Sequence, residues 1–292
     1  VTDVTLSQGL ERFDRHLVAV GRSIQTRQGY GGDLRRFLNW ARNGKQEDLQ
    51  LDEVTIGCLE EYLVHLHERG LADKTRRRAW CAFRTFFAFC KDAGLSSEDP
   101  SLKLIAPQTA KTLPRYLDST EVRIYLDKCH DPLVKVLVGT LYYTGARINE
   151  ACSIYLGDVD FRRRTLTIRV GKGGKQRVVP LNRKAREILL AYMVNTRPEV
   201  SSKHLFITKY GADLKSTYAG RLIREETRRQ GCWDRVTAHT FRHSCATALL
   251  QRGVGVVQIG TLLGHANLSS TQLYCHVSGS DLEEAVDLLD LG

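Results

Sequence analysis

Two prolines in a polar spacer constrain this chain more than any other feature. The stretch "KLIAPQTAKTLPRYLDSTEV" (103–122) carries Pro107 and Pro114. Proline inside a helix removes a backbone donor and clashes with the preceding turn, so neither can lie in a continuous one. Periodic apolar spacing runs up to the spacer and resumes after it. A chain interrupted in this way folds as two units. The reading is a helical domain over 1–105, a linker over 106–114 and a second domain over 115–292. With 292 residues in all, both sides are long enough to bury a core.

The first hundred residues read as helices. "SQGLERFDRHLVAVG" and "QTRQGYGGDLRRFLNWARNG" place apolar residues three and four apart, and "DEVTIGCLEEYLVHLHERG" does the same before stopping at Gly70. In "ADKTRRRAWCAFRTFFAFCKDAG" the spacing predicts Asp73 as N-cap, a stripe of Trp80, Phe83, Phe87 and Cys90, and a stop at Gly94. Lys74, Arg76, Arg77 and Arg78 crowd its first turn, where cations oppose the helix dipole. Such a cluster is expected to serve phosphate binding rather than stability, a solvated basic turn being the other reading.

Beyond the linker, "LDSTEV" opens a helix with Ser119 or Thr120 as cap. The one β signal is "RTLTIRVGKGGKQRVVPL", alternating apolar residues around a glycine-rich turn, which reads as a hairpin. From about Lys184 the helical pattern returns. The expected class is mainly α with a small β-sheet: a helical N-terminal bundle followed by an α+β domain.

Charge points to a partner. The chain carries a net +10, and residues 111–280 hold 27 Lys/Arg against 13 Asp/Glu, whereas the last twelve, "DLEEAVDLLDLG", hold five acids and no base. A basic middle of this strength suits a polyanion such as nucleic acid. The eight cysteines form no CxxC and fall mostly in apolar helical segments, so free thiols are expected rather than a disulfide framework. No apolar run approaches the roughly 18 residues of a membrane span. "VTDVTLSQGLERF" lacks the basic start and apolar core of a signal peptide. The expectation is a cytoplasmic protein with no membrane contact.

The chemistry-bearing residues lie in the second domain. "GKGGK" is not a P-loop, because Arg169 stands five residues before Gly174 and Gln176 follows Lys175. What remains is Lys172 on a hairpin turn beside glycines, with Lys175 on the same turn. In "YYTGARINEACSIYLGDVDF", Arg147 opens a helix and Glu150 lies one turn on, either as a simple salt bridge or as the orienter of a phosphate-binding guanidinium. "TAHTFRHSCATALLQRGV" puts His239 and Arg242 on one face, with Thr237 as cap and His243 pointing elsewhere as a structural residue. "GHANLSSTQLYCHV" offers His265, Cys275 and His276, one short of a zinc set, with 275 and 276 projecting in different directions, so no metal site is read. Tyr274 sits there in a polar run rather than on an apolar stripe.

In this order, with "LYYTGARINEA", "GKGGKQRVVPL", "HTFRHSCATALL" and "LLGHANLSSTQLYCHV", the chain resembles the tyrosine recombinases (the phage integrase family), most closely their Xer-type branch. The resemblance covers nearly the whole chain. It implies a DNA-binding helical first domain and a catalytic second domain. Tyr274 would attack a DNA phosphate to give a 3′-phosphotyrosine. Arg147, Arg242 and His265 would hold the non-bridging oxygens, Lys172 would protonate the leaving oxygen, and His239 would assist in taking the tyrosine proton, with Glu150 in support.

Elementary chemistry agrees. A phenol of pKa about 10 is a poor nucleophile unless assisted. Fixed guanidiniums offset charge gathering on the equatorial oxygens, and an alkoxide leaves better with a proton donor. No cofactor and no metal are implied. Lys74, Arg76, Arg77, Arg78, Lys175 and Arg177 are the expected DNA contacts, and the segment "STYAGRLIREETRR" is a second candidate reader of the groove. The implied partners are double-stranded DNA and either further copies of the chain, four in a synapse, or a partner recombinase. The resemblance implies that the stripe Leu282, Ala285, Val286 and Leu289 docks on a neighbouring protomer, packing within its own chain being the other reading. Two other functions fit the same scaffold, a type IB topoisomerase and a non-enzymatic DNA-binding regulator.

Overall fold

The computed structural model describes residues 3–42, 48–109, 115–169 and 176–264. Its chain divides into two compact units, 1–112 and 113–292.

Among its described residues the first unit has four α-helices: α1 (Leu6–Ala19), α2 (Ile24–Ala41), α3 (Ile56–Glu68) and α4 (Asp73–Asp92). Thr5, Ser23 and Thr55 cap the first three through their hydroxyls, as expected where small polar side chains meet orphan amides. The fourth differs from expectation. Ala72 occupies the cap position and Asp73 is the first helical residue, where its carboxylate pairs with Arg76 at 2.5 Å. The core is aromatic: Phe13, Phe37, Tyr62, Phe83, Phe86 and Phe87 are buried, with Phe37 edge-on to Phe83 at 5.0 Å. Phe86 belongs to the buried stripe of α4, while Trp80 lies half-buried at its margin and donates to the Leu104 carbonyl.

The second unit holds α5 (Ser119–Asp127), α6 (Pro132–Thr144), α7 (Ile148–Cys152), a sheet of β1 (Val159–Asp160), β2 (Thr165–Ile168) and β3 (Arg177–Pro180), then α8 (Arg183–Asn195), α9 (Ser216–Gln230), α10 (Ala238–Leu250) and α11 (Val256–Leu263). Asp118 caps α5, one residue ahead of the predicted serine. Its carboxylate accepts from the Glu121 amide and Glu121 returns the bond to the Asp118 amide, both at 2.8 Å, a reciprocal box that a serine starting one residue later would forgo. β2 and β3 pair antiparallel with Leu166 opposite Val179 and Ile168 opposite Arg177. α6 is buried along most of its length and packs against α8 and α10. No helix among the described residues is long and apolar enough to cross a membrane.

Candidate active site

Arg147 stands at a chain reversal. Gly145 ends α6 with φ +62°, and a Cβ there would run into the Leu263 side chain, so the turn needs glycine for backbone and for fit. Two residues later Arg147 is the N-cap of α7. Glu150, 4% exposed, folds back onto it: one carboxylate oxygen accepts from the Arg147 amide at 2.9 Å and the other from Arg147 Nη1 at 2.7 Å.

A second arginine comes from α10. Thr237 occupies its N-cap, and Arg242, 4% exposed, donates to the Gly145 carbonyl and, at 2.7 Å, to the Leu263 carbonyl. His239 lies one turn earlier on the same helix face. Its pKa is below the ordinary histidine value, because partial desolvation of this still exposed ring disfavours its charge and Arg242 and Arg147 repel an added proton. His243 is shifted the same way by burial, His239 and Arg242.

Arg177 is a third arginine in this cluster. It was expected on DNA, and the structure turns it inward. Its side chain is 11% exposed, with Nη2 on a Glu150 oxygen at 2.7 Å and Nε on the Leu262 carbonyl at 2.9 Å. Strand parity is the reason: along β3, Arg177 and Val179 face the interior while Val178 is exposed.

Three arginines therefore meet on three consecutive carbonyls. Arg177 takes Leu262, Arg242 takes Leu263, and Arg147 Nη2 reaches Gly264 at 3.4 Å. Carbonyls in the last turn of a helix lack intrahelical partners and carry the negative end of its dipole, which suits cations. Gly264, φ +64°, closes α11, and His265 follows directly in sequence. Burial pushes the Glu150 carboxyl up, but the bonds from Arg177 and Arg147 outweigh it and hold its pKa below the usual glutamate value. Glu150 is therefore ionised throughout the neutral range. The arrangement is a fixed, largely desolvated concentration of guanidinium donors beside a neutral imidazole, suited to an anion with several oxygens.

Arg147, Glu150, His239 and Arg242 are thus brought together, with Arg177 joining them. Lys172, Lys175, His265, Tyr274 and the stripe from Leu282 to Leu289 lie outside the described residues. Among the first-unit cations, Lys74, Arg77 and Arg78 are exposed, Arg77 donating to the Pro107 carbonyl. Arg78 instead forms a two-pronged pair with Asp33, at 2.7 and 2.9 Å. The Asp33 side chain is 3% exposed and also takes Arg36. The expectation that this cluster has no part in stability is corrected for Arg76 and Arg78, since both are tied to carboxylates of the fold. Asp33 escaped notice in the sequence, although its place four residues before Phe37 on the apolar face of α2 was the signal.

Comparison with known proteins shows what the chain is similar to. The model of the phage integrase family matches residues 109–280, and that of the phage integrase N-terminal SAM-like domain matches 10–94. The tyrosine recombinase XerC of Mycobacterium sp. (strain KMS) is 33% identical over 95% of this chain and 97% of its own length. XerA of Pyrococcus furiosus is 32% identical over 98% and 95%. Among solved structures, the Tn1549 transposon integrase in complex with transposon right end DNA superposes with a TM-score of 0.80 at 17% identity, covering 98% of this chain and 99% of that one. That likeness speaks to the fold.

Proposed function

We propose a mechanism for this chain, which belongs to the phage integrase family and is a site-specific tyrosine recombinase of the Xer-like branch. From that premise we propose that Tyr274 is the nucleophile and that Arg147, Arg242, His239, His265 and Lys172 form its site. The phenol oxygen of Tyr274 attacks the scissile phosphorus, and the bond from phosphorus to the 5′ oxygen breaks. The phenol proton passes to His239, and Lys172 supplies the proton that leaves with the 5′-hydroxyl. Arg147, Arg242 and His265 hold the non-bridging oxygens as they gain charge. The phosphotyrosyl ester keeps the bond energy, so a second 5′-hydroxyl can reverse the step and join a new strand. Double-stranded DNA is the substrate, the active form is a multimer on paired sites, and the enzyme works in the cytoplasm.

One observation carries the reading. Arg147 and Arg242, far apart in sequence, converge on the adjacent carbonyls of Gly264 and Leu263, immediately before His265. The depressed pKa of His239 supports its part, since a neutral ring can accept the phenol proton.

The test is covalent capture on a nicked suicide duplex. Tyr274→Phe is expected to bind DNA and form no adduct, while Arg242→Ala slows adduct formation by about 10²–10³. An adduct formed by the phenylalanine variant would remove Tyr274 from the role. A duplex with sulfur in place of the 5′ bridging oxygen should restore Lys172→Ala, and restoration of Lys175→Ala alone would move the acid to Lys175.

A further inference from the structure

The geometry points to Arg177 as a positioning residue for the recombination chemistry: it fixes Glu150, and through Glu150 the guanidinium of Arg147. The inference rests on the reading above that Arg147 holds the scissile phosphate.

Glu150 receives three hydrogen bonds from two arginines. The oxygen that accepts the Arg147 amide also accepts Arg177 Nη2, and the other oxygen takes Arg147 Nη1. Among the described residues, the carboxylate without Arg177 keeps partners on Arg147 alone, which is itself the group to be oriented, so the pair can rotate together. Arg177 supplies the external reference. Arg177 is anchored in turn by its strand and by Nε on the Leu262 carbonyl. Gly264 leaves it room: a Cβ at that position would lie 2.8 Å from Arg177 Nη1 and 3.1 Å from its Cζ.

Stability alone does not account for an arginine here. The position lies on the inward face of β3 with Val179, opposite Ile168, where an apolar side chain of similar length would pack without desolvating a charge. Buried ion pairs are often neutral or unfavourable relative to such replacements. An arginine in contact with Glu150 and the end of α11 offers what an apolar chain cannot, a fixed direction for the neighbouring carboxylate.

The experiment is a double-mutant cycle on single-turnover adduct formation at saturating suicide duplex, with Arg177→Met, Arg147→Ala and the pair, accompanied by duplex affinity and melting temperature. A misplacement near 1 Å costs on the order of 10²-fold. Arg177→Met is therefore expected to slow adduct formation by about 10- to 100-fold with affinity changed less than about 3-fold. In the Arg147→Ala background the same substitution should change the rate by less than about 3-fold, because the group to be positioned is gone. Equal losses in both backgrounds would overturn the inference in favour of an independent role. So would a wild-type rate in Arg177→Met, or a loss confined to affinity, which would make Arg177 a direct DNA contact. Should the methionine variant not fold, Arg177→Lys decides: a single ammonium nitrogen lacks the fork that reaches both acceptors at once, so a folded lysine variant at the wild-type rate refutes the proposal. A fast Arg147→Ala single variant would instead sink the underlying assignment.

Discussion

Gly264→Ala separates backbone strain from the arginine contact, because the fold supplies its own control. Gly264 and Gly231 both close helices in the left-handed region, at φ +64° and +69°. A Cβ on Gly231 meets nothing within 4 Å, whereas one on Gly264 meets the Arg177 guanidinium. Left-handed backbone costs an L-residue about 1–2 kcal/mol, so Gly231→Ala should lose about that much. At Gly264 the guanidinium can give way only by leaving Glu150 or the Leu262 carbonyl. A charged hydrogen bond is worth about 1.5–3 kcal/mol, which brings Gly264→Ala to about 2.5–5 kcal/mol. In a unit of this size each kcal/mol shifts the melting temperature by about 2–4 °C. The assay is urea and thermal unfolding of the full-length protein, with Gly264→Ala repeated in the Arg177→Met background, where the excess over Gly231→Ala should shrink toward zero. Equal losses at the two glycines would show that the contact with Arg177 does not constrain position 264.

Three further outcomes follow from the same geometry. Because His239 has a lowered pKa, it is neutral above the ordinary histidine value, and the stability linked to it is present there and lost as pH falls through the folded value. The second-order rate of adduct formation should hold down to about pH 6.5 and decline below it, about tenfold per unit at the limit; a decline already complete at pH 7, or one unchanged in His239→Gln, would contradict its role as proton acceptor. Arg78→Ala strips buried Asp33 of its two-pronged partner and should cost about 1–3 kcal/mol in urea unfolding, against about 0.5 kcal/mol or less for exposed Lys74→Ala; parity would deny Arg78 its structural part. Among the described cysteines, exposed Cys232 should be alkylated by iodoacetamide more than about tenfold faster than buried Cys152 and Cys245, whose thiols are pushed up to about 12 by burial. Peptide mapping by mass spectrometry reads the order, and early labelling of Cys245 would mean that α10 opens.

Interactions spanning a single turn were legible without coordinates. Arg147 and Glu150 are three apart at a helix start, and their pairing follows from helical periodicity. The alternation around the glycine-rich turn marked β2 and β3, and the order of motifs from Arg147 to Tyr274 marked the family. Local rules also had limits close at hand: Asp118 took a cap assigned to Ser119 or Thr120, because three adjacent polar residues can each start a helix.

Arg177 shows where sequence stops. It precedes two valines, and since both are apolar, alternation cannot say whether the odd or the even residues of β3 face inward. Only packing against α11 and Glu150 settled that, and it made Arg177 a buried link between β3, Glu150 and the end of α11. Asp33 with Arg78, and Arg242 with the carbonyls of Gly145 and Leu263, likewise join segments distant along the chain. The sequence alone determined the helices and the pairing of two strands across a glycine-rich stretch, which depend on neighbours within a few residues. Tertiary structure alone decided which charged groups are desolvated and which carboxylate or carbonyl each arginine takes, because burial and long-range hydrogen bonds depend on the other elements that close over them.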